Sequence, residues 1–74
     1  MEIKKITRRD LAFGRKLQKL RRKSGITQEQ LADKTGLSTT FIGLLETGSR
    51  QPSLKTLRKI ASALHLKVKD LINF

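Results

Sequence analysis

The chain has 74 residues, of which 17 are Lys or Arg and 6 are Asp or Glu, giving a formal charge of +11 at pH 7. That length allows one domain with a thin core, which buries roughly 60–65% of the unfolded surface and supplies on the order of 3–5 kcal/mol of stability. The absence of cysteine excludes disulfides and thiolate metal sites. No apolar run approaches the ~20 residues of a membrane span and no signal peptide is visible, so a cytoplasmic protein is expected.

The charge points to a polyanionic partner, with nucleic acid ahead of an anionic membrane. Catalysis has little material. His65 is the only histidine, tyrosine is absent, and the acids Glu2, Asp10, Glu29, Asp33, Glu46 and Asp70 form no evident acid–base pair. No phosphate loop or metal-spaced cluster occurs, so no enzyme activity, cofactor or metal is expected.

Residues 1–9 read as a basic arm, either a tail or a short strand, and residues 10–74 as the domain. Helix one is expected from about Asp10 to Lys23, capped by Thr7 or Asp10. Phe13, Leu17 and Leu20 share one stripe. Arg15, Lys16, Lys19, Arg22 and Lys23 take the opposite arc and read mostly as a solvated face, one or two of them touching a partner. Gly25 ends the helix. Helix two starts at Thr27, because Thr27-Gln28-Glu29-Gln30 has the form of a capping box; Leu31 and Ala32 line its inner face and Gly36 stops it.

Helix three starts at Ser38 and ends at Gly48. On its wheel Phe41, Ile42 and Leu45 face the core, while Thr39, Thr40, Gly43 and Leu44 face out. Residues 48–52 form a loop, and Ser53 caps helix four, whose stripe is Leu54, Leu57, Ile60, Ala61 and Leu64. A last short helix, Val68 to Ile72, carries Val68, Leu71 and Ile72. The fold class is therefore all-α, with five short helices. The tight glycine-containing turn between helices two and three marks a helix-turn-helix unit.

The run Gln28-Glu29-Gln30-Leu31-Ala32, then Gly36-Leu37-Ser38, Phe41-Ile42 and Leu45-Glu46-Thr47-Gly48, resembles the lambda repressor/Cro-like (XRE-type) helix-turn-helix family. Pro52-Ser53-Leu54-Lys55-Thr56-Leu57 and Ile60-Ala61-Ser62-Ala63-Leu64 extend the resemblance, which covers about Phe13 to Phe74. It implies a five-helix DNA-binding domain whose third helix enters the major groove of double-stranded DNA. Thr39, Thr40, Gly43 and Leu44 would then face base edges. Gln28 would contact a phosphate and brace the reading helix; Thr27 and Ser38 cap their helices and can add phosphate contacts; Arg50 and Gln51 would touch the backbone from the following loop.

The resemblance also implies a buried structural pair, Arg21 with Glu46, tying helix one to the end of helix three. Gly43 and Leu44 stand where the family commonly has Ser, Gln, Arg or Lys, so the reading face is poor in hydrogen-bonding groups. His65 replaces the usual glycine after helix four, and Lys67 replaces the usual serine cap of the last helix. The expected function is an operator-binding transcriptional regulator, a repressor or controller, acting as a homodimer. Val68, Leu71, Ile72 and Phe74 are either its dimer surface or the closure of the monomer core. An antitoxin or coactivator-like module whose partner is a protein, such as a toxin, is the alternative; a membrane partner is not expected.

Overall fold

A computed structural model describes residues 5–74; residues 1–4 of the expected basic arm lie outside the described residues. The described residues form five helices: α1 (Arg8–Lys23), α2 (Gln28–Thr35), α3 (Thr39–Glu46), α4 (Leu54–Ala63) and α5 (Val68–Ile72). None of these helices is long and apolar enough to cross a membrane. The all-α architecture expected from the sequence is the one observed.

Each start has a local chemical cause. In α1 the Thr7 hydroxyl accepts the Asp10 N–H (3.1 Å), and the Asp10 carboxylate accepts the Thr7 N–H (3.0 Å). The helix therefore begins at Arg8, because both candidate caps act together as one capping box. Thr27 and Gln30 make the same reciprocal pair at α2. Ser38 caps α3 and Ser53 caps α4 by accepting the N–H three residues on. At α5, where the expected serine is replaced by Lys67, an ammonium cannot accept. Only the reverse bond forms, from the Lys67 N–H to the Asp70 carboxylate (2.8 Å).

The core is Phe13, Leu17, Leu31, Ala32, Ile42, Leu45, Ile60, Ala61, Leu64 and Leu71. All five helices contribute to it. α1 packs across α3, α2 packs on α3 and α4, and α5 closes the bundle against α1 and α4. Leu71 is fully buried and Val68 is half-buried against the core. Leu71 closes the monomer, which takes it out of the candidate dimer surface, and Val68 packs beside it with part of its surface still exposed, because a five-residue helix must bury its own apolar side to dock at all. Leu54, expected in the α4 stripe, is instead exposed at the first position of the helix. Phe41, expected in the core, packs against it but stays half-buried.

Two backbone positions matter here, one at the α1–α3 crossing and one between α4 and α5. Gly14 sits where α1 crosses the end of α3. A Cβ there would lie within 2.8 Å of the Leu45 carbonyl oxygen and would also strike the Glu46 backbone, so no other residue permits this approach. His65 adopts a left-handed backbone with φ of 57°, as its place in a usual glycine position implied, and carries the associated strain.

Candidate nucleic-acid interface

The connection between α2 and α3 is Gly36-Leu37-Ser38. Gly36 is left-handed, with φ of 73°. A left-handed residue turns the chain sharply after Thr35, and Ser38 restarts it in extended geometry two residues later. The Thr35 hydroxyl donates to the Leu31 carbonyl (2.8 Å), so the last turn of α2 is tied internally.

α3 is thereby held with one side inward and one outward. Ile42, Leu45 and Glu46 are buried, whereas Thr39 and Thr40 are exposed and Gly43 and Leu44 are partly exposed. The outward arc read from the wheel is the observed one. It is a short surface of two hydroxyl-bearing side chains, one bare backbone position and one apolar side chain.

Behind this surface lies a buried polar network. Arg21 Nε donates to Glu46 Oε2 (2.6 Å) and Nη2 to Glu46 Oε1 (3.1 Å), while Nη1 donates to the Ile26 carbonyl (2.8 Å). The side chains are 9% and 1% exposed, so the pair implied by the resemblance is buried and fully bonded. The hydrogen bond to Glu46 holds the Arg21 guanidinium above its ordinary pKa, outweighing desolvation, with the carboxylate's charge adding to it.

The same carboxylate reaches the start of α2. Gln28 Nε2 donates to Glu46 Oε1 (3.1 Å). The Gln28 amide lies beside Gly43, where an added Cβ would sit 3.8 Å from Gln28 Oε1 in ordinary contact. One link thus runs from α1 through Glu46 to the first residue of α2, with the Gln28 carboxamide oxygen and one N–H remaining. The resemblance implied the Arg21–Glu46 half of this link; the Gln28–Glu46 half, between residues 18 apart, was not foreseen.

The loop after α3 is also anchored. The Arg50 guanidinium carbon sits 5.7 Å from the centre of the Phe41 ring, which holds the cation beside α3. Gln51 Nε2 donates to Asp10 Oδ1 (3.1 Å), drawing that amide back toward α1. The sequence reading placed both residues near DNA but missed these anchors. Thr27, Gln28, Ser38, Thr39, Thr40, Gly43, Leu44, Arg50 and Gln51 therefore belong to the starts of α2 and α3, the outer face of α3 and the loop beyond it.

A capped two-helix unit with an exposed short second helix, on a strongly cationic chain, defines a DNA-binding module. The chain belongs to the helix-turn-helix family, whose model matches residues 17–71. It is 42% identical over 65 residues to the control protein C.BamHI of Bacillus amyloliquefaciens, a match covering 86% of this chain and 80% of that protein. It is 36% identical over 64 residues to the control protein C.MunI of Mycoplasma sp., covering 85% and 86%. Among solved structures it resembles the restriction-modification controller protein C.AhdI from Aeromonas hydrophila, with a TM-score of 0.81 and 38% identity over 82% of this chain and 92% of that one. The chain is a DNA-binding transcriptional regulator of the XRE type; the family is one of regulators and not of enzymes.

Proposed function

We propose that the protein is a controller-type regulator that binds operator DNA as a homodimer, each subunit placing α3 in the major groove. The observation that carries this reading is the two-sided α3. Its inner side is locked by Ile42, Leu45 and Glu46, and its outer side offers Thr39, Thr40, Gly43 and Leu44. A groove about 12 Å wide accepts one such helix. Leu44 and the threonine methyls suit thymine methyl groups, and the hydroxyls serve as small donors or acceptors. Gln28, Arg50, Gln51 and the capped starts of α2 and α3, at Thr27 and Ser38, take neighbouring phosphates. The likeness to restriction-modification control proteins supports the controller reading over other regulators. A regulator of this kind acts in the cytoplasm.

One eight-residue helix touches only a few base pairs, so a symmetric pair is the economical way to gain selectivity. Ile72 and Phe74 are half exposed and border a shallow groove with Phe13, Leu57 and Pro52. With Leu71 inside the monomer and Val68 half-buried, Ile72 and Phe74 offer the largest exposed apolar surface among the dimer candidates. Selection of bound sites from a random duplex pool tests the proposal. The expected product is a two-fold symmetric sequence with half-sites about 34 Å apart. A pool that stays unenriched, or enriches a single unpaired half-site, overturns the dimeric operator reading.

A further inference from the structure

α1 carries an exposed charged surface on the side opposite its packing against α3. Asp10, Phe13, Gly14, Leu17 and Arg21 form its buried side, and Gly14 presses that side onto the backbone of Leu45 and Glu46 at the end of α3. At 100° per residue, Arg8, Arg15, Lys19 and Arg22 fall in one line directly opposite, with Lys23 next to it. All five are exposed. Among the described residues none of the five has a carboxylate partner; Arg21, on the inner side, holds the ion pair with Glu46.

The line from Arg8 to Arg22 is about 21 Å long at 1.5 Å per residue. It has no acid and no aromatic pocket within it. Leu11 is exposed beside the row, but a single aliphatic side chain forms no pocket; long flexible cations in a row match the continuous charge of a nucleic-acid backbone, one per about 1.7 Å of duplex axis. The buried side of α1 packs on the end of α3 at Gly14, so the row, on the opposite side of α1, points away from α3; only its Arg8 end comes near the loop after α3, where Gln51 bonds to Asp10.

We propose that the outer face of α1 is a second, sequence-independent site for duplex DNA, so that protein bound to one duplex holds a second one. The contacts are phosphate contacts by Arg8, Arg15, Lys19, Arg22 and Lys23. Their number makes capture of the second duplex steeply salt-dependent, since each contact adds about 0.9 to the logarithmic slope.

The test is a two-duplex capture. A 30-base-pair duplex of random sequence is immobilised, protein is added, and retention of a differently labelled 30-base-pair duplex is measured at low and physiological salt. Three full-length proteins are compared: the natural chain; Arg15→Gln, Lys19→Gln, Arg22→Gln and Lys23→Gln together; and Lys34→Gln, Arg58→Gln, Lys59→Gln and Lys69→Gln together. Each variant loses four exposed cations from the total of +11, so both have the same net charge. Circular dichroism sets a temperature at which all three are folded. The natural chain and the second variant should retain the labelled duplex. The α1 variant should itself stay on the immobilised DNA within about three-fold but retain at least ten-fold less labelled duplex. Equal capture by all three, equal loss in both variants, or no capture by the natural chain overturns the proposal. So does retention of a labelled poly-glutamate chain in place of the second duplex, which would assign the row to an acidic protein. No operator is needed, so this result stands or falls apart from the site-selection experiment.

Discussion

Arg21 shows how one side chain can bind two parts of the molecule. Its guanidinium joins α1 to Glu46 at the end of α3, and Glu46 in turn holds Gln28 at the start of α2. The raised pKa of Arg21 means that its contribution is complete below arginine's ordinary value and is lost only as pH rises through the folded value. No physiological pH reaches that range, so the tie is permanent and not a switch. Arg21→Met leaves a carboxylate that is 1% exposed without its cation, and should cost about 3–5 kcal/mol. For a domain of this size that is most of the stability. Arg21→Met with Glu46→Leu removes both charges, and should recover most of the loss. Thermal unfolding of both variants checks this. A double variant no more stable than Arg21→Met would show that the pair holds something apolar packing cannot replace.

At the scale of elements, legibility followed locality. The caps at Thr27, Ser38 and Ser53 and the turn at Gly36 were readable, because each is decided within three or four residues. The outer arc of α3 was readable from its period. The crossing of α1 and α3 at Gly14 was not, since a glycine inside a helix reads only as an interruption until the neighbouring backbone is known. Leu54 was misplaced, and Phe41 packs on the core less deeply than expected, for the same reason: a helical stripe says which side is apolar, not how far the neighbouring elements extend. Nor could the wheel reveal that the Gln28 amide lies beside Gly43. Gly14→Ala measures the crossing directly. Alanine is the better helix former by up to about 1 kcal/mol, yet its Cβ would meet two carbonyl groups of α3. The clash should dominate, with a net loss of about 2 kcal/mol or more in chemical denaturation. A stabilised Gly14→Ala protein would mean that α1 and α3 can separate without penalty.

For the molecule as a whole, the limiting fact is size. Five helices of 5 to 16 residues build one core of ten buried apolar side chains. Such a domain has little apolar surface to spare, which is why α5 spends Leu71 and part of Val68 on its own closure. Ile72 and Phe74 are the large apolar side chains left exposed at that end. If these two are the centre of a two-fold interface, Ile72→Asp with Phe74→Asp should convert the dimer to monomer in sedimentation equilibrium. It should also weaken operator binding by about 100-fold or more at low protein concentration, because the second half-site contact is lost; that figure corresponds to roughly 2.7 kcal/mol of coupling. Since Leu71 stays in place, the unfolding midpoint of the monomer should change little. A dimer that survives both substitutions places the interface elsewhere.

The reading surface itself is best tested by following backbone amide resonances while a duplex bearing a selected site is added to one equivalent. The amides of Gln28, Thr39, Thr40, Gly43, Leu44 and Arg50 should shift most, with those of Ile60, Ala61 and Leu71 in the core nearly still. Shifts concentrated on α4 and α5, with Thr39 and Thr40 unmoved, would contradict the assignment of α3 as the helix that enters the groove.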